Sequence, residues 1–148
     1  MGLDMYLKAN RFMWSSSDED EKLNAKLTKV LGLKDVRVSD INCDAAYWRK
    51  ANAIHKWFVD NCQDGKDECQ ETEITREQLV ELRDLCVKVR DNHDLAPKLL
   101  PTQGGFFFGD TSYGDDYFED VESTIKQIDE ALEKFPEKNW YFRYHSSW

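Results

Sequence analysis

The segment from Phe118 to Phe135 constrains the fold more than any other stretch. Phe118, Val121, Ile125, Ile128, Leu132 and Phe135 recur at steps of three and four, and Pro136 follows. That spacing puts every apolar side chain on one side of an α-helix, and proline ends the helix because it has no N–H to donate. Such a stripe has to be buried. The rest of the chain must therefore provide a long apolar surface to face it.

Other helices announce themselves by their caps. Thr75 and Gln78 make a capping box, Ile74 and Leu79 a hydrophobic staple, and Leu79, Leu82, Cys86 and Val89 an inward stripe. Ser16 with Glu19 gives the same box ahead of a helix carrying Leu23, Leu27, Val30 and Leu31, which Gly32 stops. Asp44 is placed to cap a further helix running to about Cys62, before the polar turn QDGKDE. On that helix Tyr47, Ala51, Ile54 and Phe58 would face the core. Trp48, Asn52, His55 and Val59 would form the adjacent stripe, with Arg49 and Lys56 on a further side.

Strand signals lie far apart. Met5–Met13, Val36–Ile41, the ETEI segment and the terminal NWYFRYHSSW read as strands, the last with Tyr141, Arg143 and His145 on one face. Phe106–Phe108, apolar on both faces, fits a buried strand. Prolines and glycines in DNHDLAPKLLPTQGG break regular structure, and GDTSYGDD is a loop. No repeat or linker divides the chain. The expectation is one α+β domain over 1–148: a small, mostly antiparallel sheet with several amphipathic helices packed on it.

Charge narrows the partners. With 20 basic and 29 acidic residues the net charge is −9, and no Lys/Arg run occurs. Binding to duplex nucleic acid is not expected, because phosphate contacts need a basic patch. An acidic surface suits solubility or a basic protein face. No stretch approaches a membrane span, and MGLDMYLKAN lacks the apolar core of a signal peptide. Tyr6 stands where a myristoylation signal wants Ser or Thr. Cys43, Cys62, Cys69 and Cys86 form no C-x-x-C pair. Reduced thiols in a cytoplasmic protein are the expectation, with no metal site and no cofactor. A homo-oligomer remains open.

Three constellations could carry chemistry. In the first, Trp48 offers a ring face, Asn52 a donor and an acceptor, Arg49 a bidentate grip and Lys56 a point charge, with His55 beside them. This set suits a small anionic, partly aromatic ligand such as a nucleotide. It equally describes a helix with core-edge aromatics and solvated cations. In the second, GGFFFGDTSYGDDYFED presents Thr111, Ser112, Tyr113 and Tyr117 from a glycine-punctuated loop. It matches no phosphate-loop motif, and Asp110, Asp115 and Asp116 oppose a bare phosphate. In the third, Arg143 and His145 precede Ser146 and Ser147, but without a G-x-S-x-G elbow neighbours in sequence make no catalytic geometry.

MGLDMYL, YWRKANAIHKWFV, LPTQGGFFFGDTSYGDDYFEDVESTIKQ and the terminal SSW together resemble a widespread family of small phage and prophage accessory proteins. The resemblance covers most of the chain. It implies a dispensable protein of the class that neutralises host immunity, acting in the host cytoplasm. It implies no settled reaction, cofactor or catalytic residue. Three readings follow: a non-catalytic binder that sequesters a nucleotide-derived signal, an acidic inhibitor of a host defence protein, and a small hydrolase using His55, His145 or the Asp cluster. In the first, Trp48, Arg49, Asn52, His55, Lys56, Thr111, Ser112, Tyr113, Tyr117 and Arg143 would line the ligand site.

Overall fold

In the computed structural model, which describes residues 2–148, four strands form one antiparallel sheet. Met1, the first residue of the MGLDMYL motif, lies outside the described residues. The strands are β1 (Asp4–Phe12), β2 (Asp40–Arg49), β3 (Thr72–Ile74) and β4 (Tyr141–Ser147), in the order β2-β1-β4-β3. The helices are α1 (Asp18–Leu31), α2 (Asn52–Cys62), α3 (Arg76–Asp91), the short α4 (Ala96–Leu99) and α5 (Asp115–Lys134). The protein is α+β.

Alternation sorts the sheet into two faces. Met5, Leu7 and Ala9 of β1, Ala46 and Trp48 of β2, Ile74 of β3, and Phe142 and Tyr144 of β4 are buried in the core. The α5 stripe meets them as its spacing demands: Val121, Ile125, Ile128 and Ala131 are buried, with Phe118, Leu132 and Phe135 packed at the margin. The α3 stripe of Leu79, Leu82, Cys86 and Val89 is buried too. Its capping box forms with both bonds, Gln78 N–H to Thr75 Oγ1 at 3.1 Å and Thr75 N–H to Gln78 Oε1 at 2.9 Å.

Four segments depart from the sequence reading. The largest departure is at β2, where the expected single helix from Asp44 to Cys62 is a strand to Arg49, a corner at Lys50 and Ala51, then α2. A bulge explains the mistaken period. Leu7 pairs with Ala46 but Lys8 pairs with Asp44, so Ala45 is an extra residue that disrupts the alternation. Ala51, Ile54 and Phe58 are buried as expected, but the two aromatic residues on β2 exchange sides. Trp48 is 3% exposed, and its Nε1–H donates to Thr124 Oγ1 of α5 at 2.9 Å, while Tyr47 is 46% exposed.

At α1 the cap is Ser17, one residue beyond the expected Ser16, and it accepts from Asp20 N–H. Val30 and Leu31 lie in solvent, because α1 is anchored by polar groups rather than by its apolar stripe. Asn24 bonds both the N–H and the C=O of Val38, and buried Asp20 accepts from Arg11 at 2.8 Å and from Trp14 N–H at 3.0 Å. The Arg11 guanidinium, then the Trp14 amide, holds the Asp20 carboxyl below its ordinary range. Gly32, at φ 69°, stops α1 as expected. The segment Val36–Ile41 is strand only from Asp40 onward.

Phe106–Phe108 is a turn and not a buried strand. Phe108 N–H bonds back to Gly105 C=O, Phe106 is 96% exposed, and only Phe108 is buried. The flanking glycines bend the segment before it can pair.

Two truncations check this division. Leu82→Ala should cost about 2–5 kcal/mol, as a cavity opens between α3 and α5. Val30→Ala on exposed α1 should stay within about 0.5 kcal/mol. Urea unfolding of both variants measures the contrast.

Candidate functional site

The four motif segments meet at the β2–α2 corner. Leu3 N–H donates to Phe107 C=O at 3.0 Å, and Lys50 N–H donates to Leu3 C=O at 2.7 Å. Asn52, 4% exposed, ties the third segment in: its Nδ2 donates to Phe108 C=O at 3.0 Å and Asp110 C=O at 2.8 Å, and its Oδ1 accepts from Gln103 N–H at 3.0 Å. Trp148 packs edge-on to Phe108 and donates Nε1–H to Asp67 at 3.1 Å. Lys50 sits at φ 58°, a left-handed conformation that lets an extended strand turn directly into a helix. Gly109, at φ 85°, lies against the Lys50 side chain, and a Cβ there would come within 3.1 Å of it.

Beside this corner lies a cavity of about 310 Å³. One wall is Arg49, Lys50 and the amino end of α2, where Ala51 provides no side-chain cap. Asn52 N–H donates to Lys50 C=O at 2.8 Å, and the Ala53 and Ile54 amides, which lack intrahelical acceptors by geometry, bring a positive partial charge to that wall. The opposite wall is the start of α5, with Asp116, Tyr117, Glu119 and Asp120, and Thr102, Asp110 and Ser112 complete the rim. The cavity is thus bipolar.

Asp120 has the most perturbed acid in this wall. Burial first, then the charges of Asp116 and Glu119, push its carboxyl up to about 6. Tyr117 donates its O–H to Leu100 C=O at 2.8 Å, and burial raises its phenol further still. Asp110 is held below its usual range by hydrogen bonds from Ser112, first from the hydroxyl and then from the backbone N–H.

The structure divides the sequence-predicted residues. Arg49, Ser112 and Tyr117 line the cavity, and Asn52 lines it while holding its loop in place. Thr111 and Tyr113 stand just outside: Thr102 donates from its hydroxyl to Thr111 C=O and from its N–H to the Tyr113 hydroxyl. Trp48 is turned into the core. Lys56 is engaged with Asp60 on the outer side of α2 at 2.7 Å. Arg143 lies on the open face of the sheet, over the Tyr141 ring and 3.4 Å from Glu71.

His55 is wholly buried and away from the cavity lining. Its Nδ1 faces the Tyr144 hydroxyl at 2.6 Å and its Nε2 faces Asp67 at 2.8 Å. With the proton on Nε2, the ring accepts from Tyr144 and donates to Asp67, which also receives Trp148. His55 is a fastener between α2, β4, the 63–71 turn and the C-terminus. His145 stacks on Tyr6 on the open sheet face, whereas Ser146 is buried on the other. Alternation along β4 therefore separates His145 from Ser146 and leaves Ser147 on the same face as His145.

Lys50 and Asp120 were missed by the sequence reading. Asp116 and Asp120, one turn apart on α5 with Glu119 beside them, were the available signal. Burial pushes the Cys62 and Cys86 thiols up to about 12, while Cys69 is exposed. Among the described residues no three His, Cys, Asp or Glu side chains converge as metal ligands, and no helix is long and apolar enough to cross a membrane. No protein-family model, no curated protein and no solved structure matches this chain.

The raised Asp120 carboxyl has a stability consequence. The unfolded chain ionises this group near 3.8 and the folded protein near 6, so the folded state takes up the proton first. The contribution of Asp120 to stability is therefore unfavourable at neutral pH and improves as pH falls through 6, levelling below about 4. Asp120→Asn should stabilise the protein at pH 7.5 by on the order of 1–2 kcal/mol after solvent screening. That gain should disappear near pH 4. Denaturant melts of both proteins at the two pH values test it.

Proposed function

We propose that this protein binds a small anionic molecule in the cavity at the β2–α2 corner and holds it out of circulation. In this reading it is a phage-encoded accessory protein that sequesters a nucleotide-derived signal of host defence. The observation that carries the binding site is the uncapped amino end of α2, opening between Arg49 and Lys50 into a cavity of about 310 Å³. An anionic group there would receive backbone amides, the helix dipole and two cations together. The volume is at the lower end of the range for small-molecule sites.

The opposite wall sets a limit on ligand charge. Asp110, Asp116, Glu119 and Asp120 oppose a highly charged polyphosphate. A cyclic phosphodiester, with one charge per phosphate, meets the cationic wall at less cost. The hydroxyls of Thr102 and Ser112 and the face of Tyr117 are available to the remainder of such a molecule. The phage and counter-defence part of the reading is supported by the motif resemblance.

A thermal-shift panel of cyclic and linear nucleotides, with and without Mg²⁺, tests the proposal. A ligand at ~100 times its dissociation constant should add about 2.7 kcal/mol of stability. Arg49→Ala and Lys50→Ala should each weaken binding roughly tenfold, as lost charge-assisted contacts do. Trp48→Ala is no probe of contact, since that ring is core. A flat response across the panel overturns the reading.

Asp120 favours a second reading, a hydrolase acting on the same class of molecule. A carboxyl poised near 6 within a cavity is suited to general acid–base work. The two readings part on turnover. A hydrolase releases product at a rate that follows a group titrating near 6, and Asp120→Asn abolishes the product while sparing binding. A sequestering protein returns the nucleotide unchanged from prolonged incubation.

A further inference from the structure

Away from the cavity, the end of β1, the amino end of α1 and the turn before β4 enclose an open cleft. Phe12, Trp14, Trp140 and Tyr141 line it, with Glu19 and Glu137 among them. Trp14 is 62% exposed and Phe12 48%. Their rings stand 5.2 Å apart and tilted by 33°, an aromatic pair whose outer surface is left in water. Adjacent aromatic surface left in water is the kind of patch against which a partner docks.

The cleft already attracts a cation. Lys138, itself 79% exposed at its side chain, brings its ammonium to 3.5 Å from Glu19. Arg11 reaches the same Glu19 from below, at 3.5 Å, while its stronger bond goes to Asp20. Aromatic faces beside carboxylates are the setting in which a guanidinium stacks and pairs at once. The net charge of −9 would draw in a basic partner and repel nucleic acid or an anionic membrane surface.

We propose that this cleft is a docking site for an arginine side chain presented by a basic segment of a partner protein. The guanidinium lies against Trp14 and Phe12 and pairs with Glu19 and Glu137, displacing Lys138. The site is separate from the β2–α2 cavity and stands whether or not that cavity binds a nucleotide.

Calorimetric titration with a short peptide of alternating arginine and glycine tests it, against the same peptide with citrulline in place of arginine. The expected result is saturable one-to-one binding that the citrulline peptide lacks. Trp14→Ala should weaken it at least roughly tenfold, as loss of an aromatic anchor does, and the exposure of Trp14 spares the fold. Lys138→Gln should tighten it roughly two- to fivefold by removing the competing cation. Glu122→Gln, on the exposed side of α5, should leave it unchanged. Absence of binding overturns the proposal. So does binding that Trp14→Ala leaves intact, or that Glu122→Gln weakens as much as Glu19→Gln, for either describes general attraction to an acidic protein.

Discussion

β1 is hydrogen-bonded on both sides, to β2 and to β4, and the rest of the molecule is positioned from it. Its inward residues Met5, Leu7 and Ala9 are wholly buried, which fixes its register: a slip of one residue would move all three out of the core to the other face of the sheet. Pairing with β4 brings the C-terminus beside the N-terminal motif. Pairing with β2 carries the chain to Lys50, where Leu3 C=O receives the corner amide. Leu3, just before β1 proper, is thus already part of the site's frame.

From that frame the chemistry follows by elimination of freedom. Asn52 commits its donor and acceptor groups to the 103–110 segment, so the loop cannot shift without leaving a buried amide unpaired. His55 does the same for the 63–71 turn and the C-terminal Trp148 through Asp67. These two polar residues of α2 are structural fasteners, and they leave Lys50, Arg49 (4.0 Å from Asp4) and the Ala53 and Ile54 amides at the helix end as the groups that can meet a ligand. Across the cavity, α5 is held by the Trp48–Thr124 bond and by the packing of its stripe. Its acidic first turns therefore face the cationic corner at a fixed separation. Burial and mutual repulsion there raise Asp120, and the same placement gives the cavity its two-sided polarity.

Local signals were legible where a single element determines the outcome. The Thr75–Gln78 box, the α3 stripe, the α5 stripe and its stop at Pro136 all needed only residues three or four apart, and all formed as the sequence implies. The central motif failed for a physical reason: the Ala45 bulge disrupts the alternation of β2, and a strand leading directly into a helix then reads as one long helix. Among the candidate site residues, Arg49, Asn52, Ser112 and Tyr117 line the cavity, while Trp48 and His55 are buried in the core. Composition cannot tell those cases apart, because a Trp or His serves equally well as an anchor for packing or for a ligand.

The loop expected over GDTSYGDD gives way to α5 already at Asp115, but by itself the sequence determined the fold class, the start of α3, the stop of α5 and the net charge of −9. Those depend on residue type and on spacing within one turn or one strand. Only the tertiary structure decided that Trp48 points inward, that Lys50 turns a corner and that Asp120 stands half-buried opposite it. Each of those rests on partners far away in the chain: Thr124, Leu3 and the start of α2. Local periodicity carries no information about contacts made across such distances.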